Sequence, residues 1–299
     1  MLSKNRQQYH TEINVLEKAM RPIVSLLILC LALPLAGSSQ SRELGIMVGV
    51  MGYKGDLDPN MYDTRFLEPG ISAIYRRSYS NHWAFKAGLM YGQVKADDSK
   101  AKDFYSQNRN LNFRSHIIEL SGQFEFNFFP YQTANPNSSF SPYLLCGYSL
   151  FHFNPKAKIN DEWIELQPIG TEGQGTDLYP NRDPYKRTSL AFTFGGGFKF
   201  KIGRRFGLTL ESGVRRTYTD YLDDVSSTYA DPNTIRKEYG KTAALLSDRS
   251  LNQAPGGNIG RQRGDTQHRD WYVFTGVQFT YTLSKKYIDA CQPFRIKLW

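Results

Sequence analysis

The chain has 299 residues, of which 40% are hydrophobic and 14% aromatic, and carries a net charge of +9 at a mean hydropathy of −0.50. That length holds one large domain or two small ones, and bulk hydropathy alone would place it in water. The index is blind to β-barrels, whose strands are only half apolar, so composition leaves a membrane barrel and a soluble β-sandwich both open. The basic residues are spread out rather than clustered. This argues against nucleic acid and for a solvated surface facing anionic headgroups.

Residues 1–19 are polar and read as a leader outside the export signal, with Met20 as the start. Arg21, the apolar run Ile23–Ala36 and the small residues Gly37, Ser38 and Ser39 follow in the order of a secretory signal peptide. Residues 20–39 are therefore expected to be removed, leaving a chain that starts near Gln40. Leu27-Ile28-Leu29-Cys30 departs from a lipoprotein box, because Leu29 is bulky and the apolar run continues past Cys30.

Period-two alternation then predicts eight strands, near Leu44–Lys54, Gly70–Tyr79, Trp83–Ala96, Phe113–Phe129, Tyr143–Phe153, Leu190–Ile202, Phe206–Tyr221 and Trp271–Leu283. The last sets an apolar, aromatic-ended face (Trp271, Val273, Val277, Phe279, Tyr281) against a face expected to be small and polar. The sixth sets Leu190, Phe192, Phe194, Phe198 and Phe200 against Thr193, Gly195, Gly197, Lys199 and Lys201. The fifth alternates poorly and its faces stay unassigned. Ser80-Asn81-His82 and Gly203-Arg204-Arg205 read as tight turns, and Pro130–Pro142 as a compact link, whereas Leu57–Glu68, Asp97–Asn112, Asn154–Ser189 and Leu222–Asp270 are long. Short periplasmic turns alternating with long outer loops are the pattern of outer-membrane barrels. The expected fold is all-β: an eight-stranded antiparallel transmembrane β-barrel over residues 40–283, with four long outer loops. Its interior, filled by side chains, should hold a charge network of Lys86, Glu119, Glu125, Lys199, Glu211 and Arg215.

Six stretches are more particular than barrel physics requires. They are Tyr53–Pro59 (with Gly55 and Asp56), Arg109–Ser115, Glu125–Phe129, Gly170–Gly175 (with Glu172 and Gly173), Thr219–Ser226 (with Asp220, Tyr221, Asp223 and Asp224) and Asp248-Arg249-Ser250. Together they resemble the PorG-like outer-membrane β-barrel family of Bacteroidetes, in order, from Arg42 to Leu283. The resemblance implies a non-enzymatic component of the type IX secretion and gliding machinery. Its partners would be outer-membrane lipid and the PorK- and PorN-like proteins of the periplasmic ring, with no cofactor. The alternative is a surface barrel that binds a ligand or another cell through its long loops.

The remaining chemistry reads more plainly. Asp220, Asp223, Asp224 and Asp231 lack the glycine and fixed spacing of a calcium loop and read as a hydrogen-bonded outer loop. Ser115 and His116, adjacent on a strand, point to opposite faces and cannot share a hydrolytic site. Gly170–Gly175 lacks the spacing of a phosphate loop and reads as a turn that folds the third long loop over the mouth, and Gly195-Gly196-Gly197 as a place of close backbone approach. Cys146 is expected to be free and buried, with a disulfide to Cys291 as the alternative if both lie near the periplasmic end. The tail 284–299 mixes Lys285, Lys286, Arg295 and Lys297 with Tyr287, Phe294 and Trp299. It reads as a frayed end or as a docking arm for a periplasmic partner.

Overall fold

The structure, a computed structural model, describes residues 41–131, 139–203, 205–252 and 257–283. The leader, the signal segment, the tail and Cys291 lie outside the described residues. Among the described residues the strands are β1 (Arg42–Lys54), β2 (Glu68–Ser78), β3 (Trp83–Asp97), β4 (Asn112–Asn127), β5 (Phe140–Ile159), β6 (Glu162–Glu165), β7 (Thr188–Ile202), β8 (Phe206–Thr217) and β9 (Trp271–Thr282). Eight of them close a barrel in the order β1-β2-β3-β4-β5-β7-β8-β9, with β9 paired back to β1. Every pairing is antiparallel. The ninth, β6, pairs only with Lys156–Ile159, a part of β5 beyond its pairing with β7, and forms a hairpin above the wall.

Side-chain parity explains why these segments are strands. In β1, Leu44, Ile46 and Val48 point outward and are about half exposed, while Met47 and Met51 point inward and are buried. The outward faces of the other strands continue this apolar surface with Ile71, Leu89, Leu120, Leu144, Phe198, Leu210 and Phe279. An exposed apolar belt is what a wall in contact with lipid requires. Trp83, Phe128, Phe129, Phe206 and Tyr281 border it at the short-turn end, and Tyr91, Trp163 and Tyr218 toward the loops. The run Gly195–Gly197 lets neighbouring strands approach, since a Cβ there would collide with the carbonyl oxygens of Ser212, Tyr143 and Leu210.

The lumen is filled in two storeys. Toward the short turns, Glu125 (β4) accepts from Arg76 Nε (β2) at 2.7 Å and from Lys199 Nζ (β7) at 2.6 Å. Arg76 also reaches Glu43 (β1) at 2.9 Å, and Lys86 (β3) reaches Glu211 (β8) at 2.5 Å. Tyr143 (β5) donates to Glu211 as well. One connected network thus ties seven walls together. Higher up, Arg215 holds Glu119 through Nε and Nη2, at 3.0 and 3.1 Å, and Tyr272 donates to the same carboxylate at 2.7 Å. Around and above this site lies an apolar storey that includes Met47, Met51, Met90, Ile117, Phe151, Phe153 and Phe274, with Met90 and Phe151 directly opposite Glu119 in the register.

Several expectations change here. The inward face of β9 is not uniformly small and polar, because Tyr272 and Phe274 fill the apolar storey. The faces of β5 were unreadable for the same reason: Leu145, Phe151 and Phe153 point inward while Leu144, Tyr148 and Leu150 point outward, so both faces are apolar. The strand β8 ends at Thr217 rather than Tyr221, which releases Asp220 and Tyr221 to the loop above. Cys146 is free and exposed, on the outward face between Phe124 and Phe194, not buried.

Glu125→Ala strands Arg76 and Lys199 without their shared anion. It is expected to lower stability by about 3–5 kcal/mol, read as a lower midpoint in the temperature-dependent gel mobility of the detergent-solubilised barrel. An unchanged midpoint would contradict the network's structural role.

Candidate functional site: the carboxylate cap

The four long connections leave the same end of the barrel and fold together over it. The second carries α1 (Phe104–Arg109), which starts where Asp103 accepts from the Ser106 amide and stops at Asn110, φ +57°. The fourth carries α2 (Pro232–Tyr239) and α3 (Lys241–Ser247). Asp231 caps α2 by accepting from the amides of Asn233 and Thr234, with Pro232 fitting the first turn. Ala230, Ile235, Ala243 and Ala244 from this loop pack with Ile169 and Tyr179 of the third.

The sequence motifs converge between these loops. Gly170, Gly173 and Gly175 all have positive φ (+51°, +82° and +73°), and the turn they make presents Glu172. Fully buried, Glu172 accepts from the amides of Ser226 (3.0 Å) and Ser227 (3.1 Å), from Ser227 Oγ (2.6 Å) and from Arg263 Nη1 (2.9 Å). Asp224 (φ +69°) accepts from Thr171 and, at 2.6 Å, from the Tyr185 hydroxyl. Asp223 accepts from the hydroxyl of Tyr53, which stands at the top of β1, and from the Val225 amide. Asp270 receives the Leu222 amide at 2.9 Å. The side chain of Asp56 accepts from the Asp265 amide.

A second arginine locks the loops together. Arg109 holds Asp98 through Nε (2.7 Å) and Nη2 (2.9 Å), and also donates to the carbonyls of Arg263 and Asp56, each at 2.7 Å. Asp248 accepts from the Ser250 amide and Asn258, and Arg249 donates to the Lys158 carbonyl at 3.2 Å. Asp231 stands apart from the other acids, as the cap of α2. Arg263 and Asp270 carry no local signal that would have marked them, because their partners lie 91 and 48 positions away; Arg109 opens one of the six stretches, and Asp98, 11 positions before it, is the partner that the stretch left out.

Carboxylates outnumber cations in the cap. Of Asp56, Asp98, Glu172, Asp220, Asp223, Asp224 and Asp270, Asp98 pairs with Arg109 and both Glu172 and Asp224 with Arg263. Among the described residues no three acidic, histidine or cysteine side chains converge as a metal site needs. The imbalance is relieved by hydroxyl and amide donors and by retained protons. Burial pushes the carboxyls of Asp56 and Asp224 up to about 6 and that of Asp220 up to about 7, from 3.8. Burial and neighbouring carboxylates raise Asp223 and Asp270 as well. No hydrolytic arrangement is found at Ser115 and His116. Ser115 Oγ accepts from the Asn154 amide on the inside, while His116 stacks on Tyr91 outside.

Residues 21–240 match the family described as a domain of unknown function, DUF6089. The chain belongs to this family. No curated protein matches it. Among solved structures the fold is similar to Ail, the attachment invasion locus protein of Yersinia pestis solved with sucrose octasulfate (11% identity, 81% of this chain and 99% of that one, TM-score 0.36). It is also similar to Neisserial surface protein A (10%, 82% and 99%, 0.36) and to OprG from Pseudomonas aeruginosa (8%, 81% and 97%, 0.38). At these values the likeness says nothing of ligand or partner. The closed eight-stranded barrel rests on its own register.

The cap should respond to pH with a definite sign. Its raised carboxyls bind more protons folded than unfolded between the ordinary carboxylate range and about pH 7, so cap stability falls as pH rises through that window. Hydrogen exchange of the Leu222, Val225, Ser226 and Ser227 amides, corrected for intrinsic rate, should be slower at about pH 5 than at about pH 8. Equal protection at both values would contradict this.

Proposed function

We propose that this chain is a non-catalytic outer-membrane barrel that anchors or organises the periplasmic ring of a type IX secretion apparatus. The observation that carries the anchoring role is the lumen, filled from the ion network through the apolar storey to the cap. A barrel filled in this way is suited to holding position rather than to passing a solute. The specific machine comes from the six stretches that resemble the PorG-like family, five of which contribute residues to the cap. The short turns, with exposed Arg42 and Arg205 beside them, and the tail from residue 284 supply the periplasmic side of the reading.

A second reading, a surface receptor acting through its loops, is favoured by Phe104 and Leu251, which stand 75% and 68% exposed on the cap. Affinity purification from native membranes with mass spectrometry separates the two. Ring lipoproteins retained by a variant with Phe104→Ser and Leu251→Ser are expected under the anchoring role. Normal export of type IX cargo in a clean deletion strain would overturn the secretion role.

A further inference from the structure

The outer wall carries a feature that neither the lumen nor the cap uses. In the last row of the register across three neighbouring strands, Lys54 (β1) faces Trp271 (β9), and Trp271 faces Arg216 (β8). All three point outward, by the same parity that places Tyr53, Tyr272 and Arg215 inside. The Arg216 guanidinium lies 5.8 Å from the Trp271 ring centroid, and Arg269 joins from the chain entering β9. Among the described residues Lys54, Arg216 and Arg269 have no carboxylate partner within salt-bridge distance. By contrast, the nearby rim cations Lys95, Lys156, Lys158 and Arg187 are paired with acids.

These cations line a cavity of about 400 Å³, with Pro59 and Trp271 among its walls. Its acids are already engaged. Asp265 holds His268 at 2.7 Å and the Gln267 amide at 3.0 Å, and Asp56 faces the Asp265 amide. One step down each strand the outward residues are Gly52, Val273 and Val214, where the apolar belt begins. The tip of the first long loop, at Met61 and Tyr62, folds down this wall, while its base at Asp56 and Leu57 joins the cap. A Cβ at Gly52 would collide with the Met61 carbonyl, and the Tyr62 hydroxyl meets Ser212 Oγ on β8 at 2.9 Å. The result is a cationic recess, floored by an indole and walled by a loop, at the level where an acyl chain ends and a headgroup begins.

We propose that this recess binds the phosphate of a lipid headgroup in the leaflet on the loop side of the barrel. Two guanidinium groups and an ammonium match a phosphomonoester in charge and hydrogen-bonding geometry. An indole at the membrane interface is amphipathic in the way that such a boundary requires. A carboxylate-bearing or zwitterionic headgroup offers fewer acceptor oxygens or a weaker net charge. Inorganic phosphate would gain the polar contacts without the apolar wall beneath them, so the lipid is the better occupant. The inference depends on the bilayer reading of the belt, which flotation of the purified barrel with phosphatidylcholine vesicles tests separately.

Native mass spectrometry of the detergent-solubilised barrel provides the test, with phosphatidic acid, phosphatidylcholine and inorganic phosphate as probes. Phosphatidic acid is expected to stay bound to the wild type, and the variant Lys54→Gln/Arg216→Gln/Arg269→Gln to bind it at least about tenfold more weakly. The charge-preserving Lys54→Arg should retain it. Normal temperature-dependent gel mobility certifies the fold of each variant; if the triple variant lacks it, the single variants Arg216→Gln and Arg269→Gln carry the comparison. Equal retention of phosphatidic acid by the wild type and the neutralised variants would overturn the site. So would equal binding of phosphatidylcholine, or displacement of phosphatidic acid by an equal concentration of inorganic phosphate.

Discussion

The carboxylate of Glu125 is fully buried inside the barrel, toward its short-turn end. Three cations from three other strands, Arg76, Lys199 and Lys86, surround it. A bare charge in that position would be prohibitive, and a single partner would leave lone pairs and protons unmatched. The arrangement works because Glu43, Glu211 and Tyr143 complete the set, so that each buried ion meets an opposite charge. A slip of one residue in any wall would turn its member of the set out toward lipid. The network therefore fixes strand register as well as filling space, and the storeys above inherit that register.

From this base the filling changes character in order. Arg215, Glu119 and Tyr272 make a smaller ion site at mid-height, methionines and phenylalanines exclude water around and above it, and then Tyr53 passes a hydroxyl upward to Asp223 in the cap. Tyr53 thereby joins membrane wall and outer loops through one side chain. Gly55 beside it is constrained, since a Cβ there would overlap the Tyr53 hydroxyl and Asp270. The cap solves its charge problem differently from the lumen. The lumen matches ion with ion, while the cap has too few cations and uses amides, hydroxyls and retained protons. Its stability is accordingly tied to pH in a way that ion matching does not impose.

Much of this was visible in the residue pattern wherever one face is apolar and the other is not. In β7, Phe192, Phe194 and Phe198 alternate with Thr193, Gly195 and Lys199, and no other periodicity fits. The inward parity of Lys86, Glu119, Glu125, Lys199, Glu211 and Arg215 follows from the same alternation. Arg76 and Glu43 were missed because the adjacent Arg76 and Arg77 leave the parity of β2 ambiguous, and Glu43 falls before the alternation becomes clear. β5 was opaque because an apolar storey makes both of its faces alike. In the cap, the glycine turn and the aspartate run stood out as stretches, but the pairing of Glu172 with Arg263 spans 91 positions and leaves no local trace. The hairpin of β5 and β6 turns at Asn160 and Asp161, both at positive φ, and α1 and α2 start at the caps Asp103 and Asp231, whereas α3 has no side-chain cap.

The central claim is that the barrel wall is closed around a packed interior and not around a channel. Single-channel recording of the purified chain in a planar lipid bilayer tests it most directly. Insertion without stepwise ionic current, in protein that shows normal temperature-dependent gel mobility, is the result this account predicts. Reproducible unitary conductance steps from the intact barrel would contradict it.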